Sequence, residues 1–131
     1  MFMGTVNYFD GASLYYSLNG EEFMPIDTNG LGMRAAYVWS MTRYDDRVYV
    51  GTFNLGGNDS FDHPSHRTGR FGLLSLDPDN LSTLIEETDD AFGTQCYQDG
   101  IRNMVAHDDR LIFGTAGNTP GIGTYVFEGQ A

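Results

Sequence analysis

A short phrase recurs three times along this chain and restricts its fold more than any other feature. It reads Met-Phe-Met-Gly-Thr-Val-Asn at 1–7, Arg-Val-Tyr-Val-Gly-Thr-Phe-Asn at 47–54 and Arg-Leu-Ile-Phe-Gly-Thr-Ala-Gly-Asn at 110–118. Each copy is a run of large apolar residues, then Gly-Thr, then Asn after one or two further residues. The two later copies extend upstream in register. A single offset of 63 residues matches Met41 with Met104, Asp45 and Asp46 with Asp108 and Asp109, and Arg47 with Arg110. Self-similarity at a fixed offset marks a chain built by stacking one supersecondary unit, because a single unit cannot bury its apolar face alone.

The chemistry of the unit is that of antiparallel strands. An apolar stretch, an Asp-Asp turn and a second apolar stretch predict a β-hairpin. Gly51 and Gly114, near the end of its second strand, predict a close backbone approach or a bulge. A third strand is expected after each Gly-Thr, starting from Ser13, Arg70 and Gly123, and a short fourth at 23–26 and 82–86. An irregular loop follows the fourth strand, with Leu31-Gly32 and Phe92-Gly93 in equivalent places. Composition agrees: 17 Gly, eight Tyr and nine Phe favour short strands joined by tight turns.

With these strands and the Met, Asp-x-Arg and Gly-Thr positions in place, the chain resembles the Kelch-like and sialidase-repeat-like β-propellers. The resemblance implies an all-β fold of β-propeller blades, each of four antiparallel strands. It divides 1–131 as one propeller unit: a partial blade at 1–37, a full blade at 38–100 with an inserted loop at 55–69, and a partial blade at 101–131. The Ser-x-Asp-x-Gly-x-x-Trp box of sialidase repeats is absent, so their catalysis is not carried over. Closed propellers have about four to eight blades. This chain therefore supplies an incomplete ring. It is expected to close as a homo-oligomer, with two protomers of three blades giving a six-bladed ring through an isologous twofold interface. A fragment of a longer propeller is the other reading.

Charge narrows the partners. Eighteen acids stand against seven basic residues, all Arg, for a net charge of −11. Such a surface repels phosphate backbones and anionic bilayers, so neither nucleic acid nor a membrane is an expected partner. It suits a neutral or weakly cationic ligand. The lone cysteine, Cys96, rules out an internal disulfide and a multi-cysteine zinc cage. No apolar run reaches the length of a membrane span, and no secretory signal pattern is present.

Candidate site residues fall on the loops. The long segment 55–69 gathers Asp59, Asp62, His63, His66 and Arg67, and the later loop adds Tyr97. In a propeller both loops open on one face; Trp39, near the start of an inner strand, is read as lining the channel or packing between blades, with stacking on a sugar as the functional alternative. Ligand binding is expected at these seven residues. His63 and His66 with Asp62 offer possible metal ligands, but Pro64 denies them helical support, and turn chemistry explains Asp-His-Pro better. The Asp-Asp pairs recur at hairpin turns and are read as turns. Asp-Pro-Asp-Asn at 77–80 lacks the glycine and third acid of a calcium loop. No catalytic residue, metal or cofactor is assigned.

The function expected is a binding or interaction scaffold for a glycan or another small neutral molecule. A glycoside hydrolase or lyase using loop carboxylates, which would need a carboxylate pair roughly 5–9 Å apart, is the alternative. A purely structural fragment is the third.

Overall fold

A computed structural model describes residues 1–33, 35–54, 71–88, 92, 98–117 and 123–130. Among them the chain is all-β and antiparallel, and neither sheet closes on itself. Helical geometry among them is confined to a 3₁₀ turn at Gly30–Gly32 and to Phe92. Ten strands run in order: β1 (Phe2–Gly4), β2 (Leu14–Tyr16), β3 (Met24–Asp27), β4 (Ala35–Tyr44), β5 (Arg47–Asn54), β6 (Leu73–Asp77), β7 (Asn80–Glu86), β8 (Gly100–His107), β9 (Arg110–Ala116) and β10 (Val126–Gln130). The expected hairpins and third and fourth strands fall on these elements, although β4 begins at Ala35, earlier than the repeat at Trp39.

Each strand pairs with the next in three meanders, β1–β2–β3, β4–β5–β6–β7 and β8–β9–β10. Between meanders there is a single bridge at each junction, Val6 with Tyr37 and Phe53 with Gly100. The Asp-Asp turns close the β4–β5 and β8–β9 hairpins, with positive φ at Asp45, Asp46 and Asp108. Asp tolerates that region because its short side chain bonds locally, and the twist of such turns matches that of the strands. Leu31 and Phe92, the equivalent loop residues, share φ values of 58° and 57°.

The meanders lie face to face. Ala12, Leu14, Leu31, Val48, Val50, Leu74 and Leu76 form a core between the first two. Phe71, Leu73, Ile101 and Phe113 form a second core between the last two, joined by Tyr49, Met104 and Phe127. Each fully buried aliphatic side chain contributes about 1.5–3 kcal/mol. Burial along the strands follows from this stacking. Leu73, Leu74, Ser75 and Leu76 of β6 are all buried, because the middle meander is covered on both faces. In β9, Leu111, Phe113 and Thr115 are buried while Ile112, Gly114 and Ala116 are only half so, because the third meander is covered on one.

The recurring Gly-Thr is explained by a threonine contact made in all three copies and a glycine contact made in the first two. Thr5, Thr52 and Thr115 each accept, at the side-chain hydroxyl, a backbone N–H from the start of the third strand: Ser13 (2.8 Å), Gly72 (2.9 Å) and Tyr125 (3.1 Å). The glycine seats the next meander. A Cβ on Gly4 would fall 2.2 Å from Val38 Cγ1, and one on Gly51 would fall 2.7 Å from Ile101 Cβ. Val38 and Ile101 are themselves equivalent at the offset of 63. The bulge expected near the glycine is there also. Opposite Gly51 and Thr52 the extra residue is Trp39, and opposite Gly114 and Thr115 it is Arg102.

Candidate functional site

The two long loops are rooted side by side. The segment after Asn54 returns at Phe71, and the later one returns at Gln98. The Asn54 N–H donates to the Asp99 carbonyl at 2.8 Å, and the Phe71 N–H donates to the Gln98 carbonyl at 2.9 Å. Gln98 is buried; its amide nitrogen donates to the Gly123 carbonyl at 2.6 Å, and its oxygen accepts from the Thr115 hydroxyl at 2.5 Å. A residue that bridges three segments ties together the places where the described chain resumes at 71, 98 and 123.

Beside these roots runs a row of aromatic rings. Tyr37 stacks on Trp39 with centroids 5.9 Å apart, and Phe53 meets both edge-on at 5.0 and 5.1 Å. Tyr8 meets Tyr37 edge-on at 5.2 Å, with the two hydroxyls in contact. The guanidinium of Arg102 lies over the Trp39 ring, 5.6 Å from its centroid, so the two bulged residues of successive repeats stack on one another. Gly100 makes room for the indole, since a Cβ there would fall 2.5 Å from it. Trp39 is therefore held on several sides, and Tyr8, nearly half exposed, is the outermost ring of the row. The other six residues expected to bind ligand, Asp59, Asp62, His63, His66, Arg67 and Tyr97, lie outside the described residues.

A concavity about 440 Å³ in volume opens between the second and third meanders. Tyr44, Tyr49 and Leu73 line one wall, Phe113 and Phe127 the other, with Glu87 and Glu128 among the polar groups. Phe113 and Phe127 stack at 5.1 Å, while the Tyr44 hydroxyl is tied to the Asp109 carbonyl at 2.5 Å. Arg47 Nε donates to the Ser75 hydroxyl at 2.9 Å, and that hydroxyl donates to the Glu87 carboxylate. Glu128 is paired with Arg110 at 3.1 Å. Burial raises the pKa of the Tyr49 phenol, the negative charge of Glu87 adds to the rise, and Arg47 opposes it.

Chemically, both places offer apolar ring surface edged by groups that accept or donate hydrogen bonds. Among the described residues no three His, Cys, Asp or Glu side chains come together as a metal site would require. His107 sits at the exposed end of β8 next to its turn, at the position that matches Tyr44 at the offset of 63. The 77–80 segment is a turn, with the Asp79 N–H bonded to Asp77 Oδ1 at 2.8 Å. Sequence reasoning singled out Trp39 but missed Tyr8, Tyr37 and the lining of the concavity. Strand parity was the available signal for the latter, since Tyr49 and Gly51 share the face that meets the third meander.

No family model, curated protein or solved structure matches this chain.

Proposed function

We propose that the three meanders are blades of a β-propeller of the Kelch-like kind, closed into a ring by two copies of the chain, and that the ring is a binding scaffold. Three regularities support the blade reading: a four-stranded meander in sequence order, face-to-face stacking, and the same glycine and threonine contacts in successive units. The ligand is a neutral molecule with both apolar faces and hydroxyls, of which a glycan is the natural case.

The observation that carries this reading is the aromatic row Tyr8–Tyr37–Trp39 beside the roots of the two long loops. Ring faces stack on the C–H faces of sugars, and adjacent polar loops supply hydrogen bonds that fix orientation. The loop residues Asp59, Asp62, His63, His66, Arg67 and Tyr97 belong to the proposed site together with Trp39. A net charge of −11 disfavours anionic ligands at the same surface.

The test is titration with a panel of neutral and acidic oligosaccharides, read by the fluorescence of Trp39, the single tryptophan. Neutral glycans should perturb the emission saturably. Tyr8→Ala should weaken binding roughly tenfold, or about 1.4 kcal/mol, with the fold intact by circular dichroism. Saturable binding that is indifferent to Tyr8→Ala would remove the row from the site. An inert panel would remove the glycan.

A further inference from the structure

The strand pairs around Gly-Thr repeat on both faces of each meander. On one face stand Met3 with Tyr15, Val50 with Leu74, and Phe113 with Phe127. On the other stand Gly4 with Leu14, Gly51 with Leu73, and Gly114 with Val126. The first set looks toward the preceding meander: Val50 and Leu74 are buried in the first core, and Phe113 with Phe127 belongs to the second. The second set looks toward the following one: Leu14 is buried in the first core and Leu73 in the second. The chain therefore makes the same face-to-face contact twice.

At the two ends of the stack the equivalent residues lack that cover. Met3, the counterpart of buried Val50 and Phe113, is 39% exposed, and Val126, the counterpart of buried Leu14 and Leu73, is 73% exposed. A Cβ on Gly114 would meet nothing within 4 Å, whereas on Gly4 and Gly51 it would strike the next meander. Val105, beside the same end, is exposed as well. Glu128 at the margin is already paired with Arg110, so covering this face leaves no carboxylate unpaired there.

We infer that the Gly114–Val126 face of one chain docks on the Met3–Tyr15 face of a second copy, head to tail. The occupant follows from the repeat: a second copy carries the other half of a contact this chain already makes twice. The two end faces differ, so a copy cannot satisfy both by a face-to-itself contact. Two head-to-tail contacts related by a twofold axis close the assembly, whereas a rotation that did not close would give filaments. The inference rests on the ring reading and assigns its interface.

Light scattering on a sizing column tests it with three chains: the unaltered protein, Gly114→Phe and Met3→Glu. The unaltered chain should run as a dimer. Each variant, at positions open in the protomer, should keep its circular dichroism and weaken association at least roughly thirtyfold. An equimolar mixture of the two should regain a heterodimer, because one of its two contacts joins unaltered faces. A dimer that survives both substitutions overturns the assigned faces while leaving the ring intact. Loss with Gly114→Phe alone overturns the head-to-tail arrangement in favour of a face-to-itself contact. A monomeric unaltered chain overturns the ring along with it.

Discussion

Alanine at Gly51 and alanine at Gly114 are the same substitution at the same place of the repeat, and they should have opposite effects. At Gly51 the new Cβ would lie 2.5 Å from Ser40 Oγ and 2.7 Å from Ile101 Cβ, both inside contact distance. Relief requires the second and third meanders to separate at Ile101 and Ser40 to turn. Turning Ser40 breaks its 2.8 Å hydrogen bond to the Ile101 carbonyl. Overpacking costs about 1–3 kcal/mol and the lost bond about 1 kcal/mol more. At Gly114 no atom lies within 4 Å of the new methyl, and replacing a strand glycine reduces the entropy lost on folding, a gain of about 0.5–1 kcal/mol. The gap between the variants should therefore reach roughly 2.5–5 kcal/mol, a melting-temperature difference on the order of 10 °C for a domain of this size. Urea unfolding of dilute protein followed by circular dichroism measures it. Equal stabilities would refute the stacking of meanders through these glycines.

Other expectations follow from single contacts. Thr52→Val removes the acceptor of the Gly72 N–H and should cost about 1–3 kcal/mol in urea unfolding, since that donor is buried. Leu76→Ala, at a fully buried position of the first core, should cost about 2–5 kcal/mol by the same assay. Arg102→Ala should shift the emission of Trp39 and cost about 0.5–1 kcal/mol, and an unchanged spectrum would argue against the guanidinium lying over the indole. The raised pKa of Tyr49 means that the folded state holds its proton after the unfolded chain has released it. Stability should therefore fall as pH rises from about 10, where a free phenol ionises, toward the folded value. Tyr49→Phe should flatten that alkaline limb in unfolding curves measured across the range.

Much of the fold was legible because each repeated residue answers a local demand. Asp-Asp marks turns that need positive φ, glycine marks the close approach of the next meander, and threonine clamps the start of the third strand. These demands are met within a few residues or at a fixed offset, so they survive in the sequence. The start of β4 was less legible, since Ala35, Ala36 and Tyr37 differ in kind from Gln98, Asp99 and Gly100 at the offset of 63. Of the aromatic row, only Trp39 was singled out in the sequence. Its engagement by Arg102 depends on two bulges that re-aim side chains; Gly51 and Gly114 mark where the bulges fall, but not that the extra residues meet. The concavity is built from residues of one strand parity in different repeats, among them Tyr49 and Phe113. Only the face-to-face arrangement makes them neighbours.

The stacking of equivalent faces is most directly measured by nuclear Overhauser contacts in the isotope-labelled protein. Cross-peaks are expected between the Val38 methyls and the α-protons of Gly4, and between the Ile101 methyls and those of Gly51, with no counterpart at Gly114 from within the same protomer. If the strand-pair contacts within each meander appear while both glycine contacts are missing, the meanders are not joined through the repeat and the account fails.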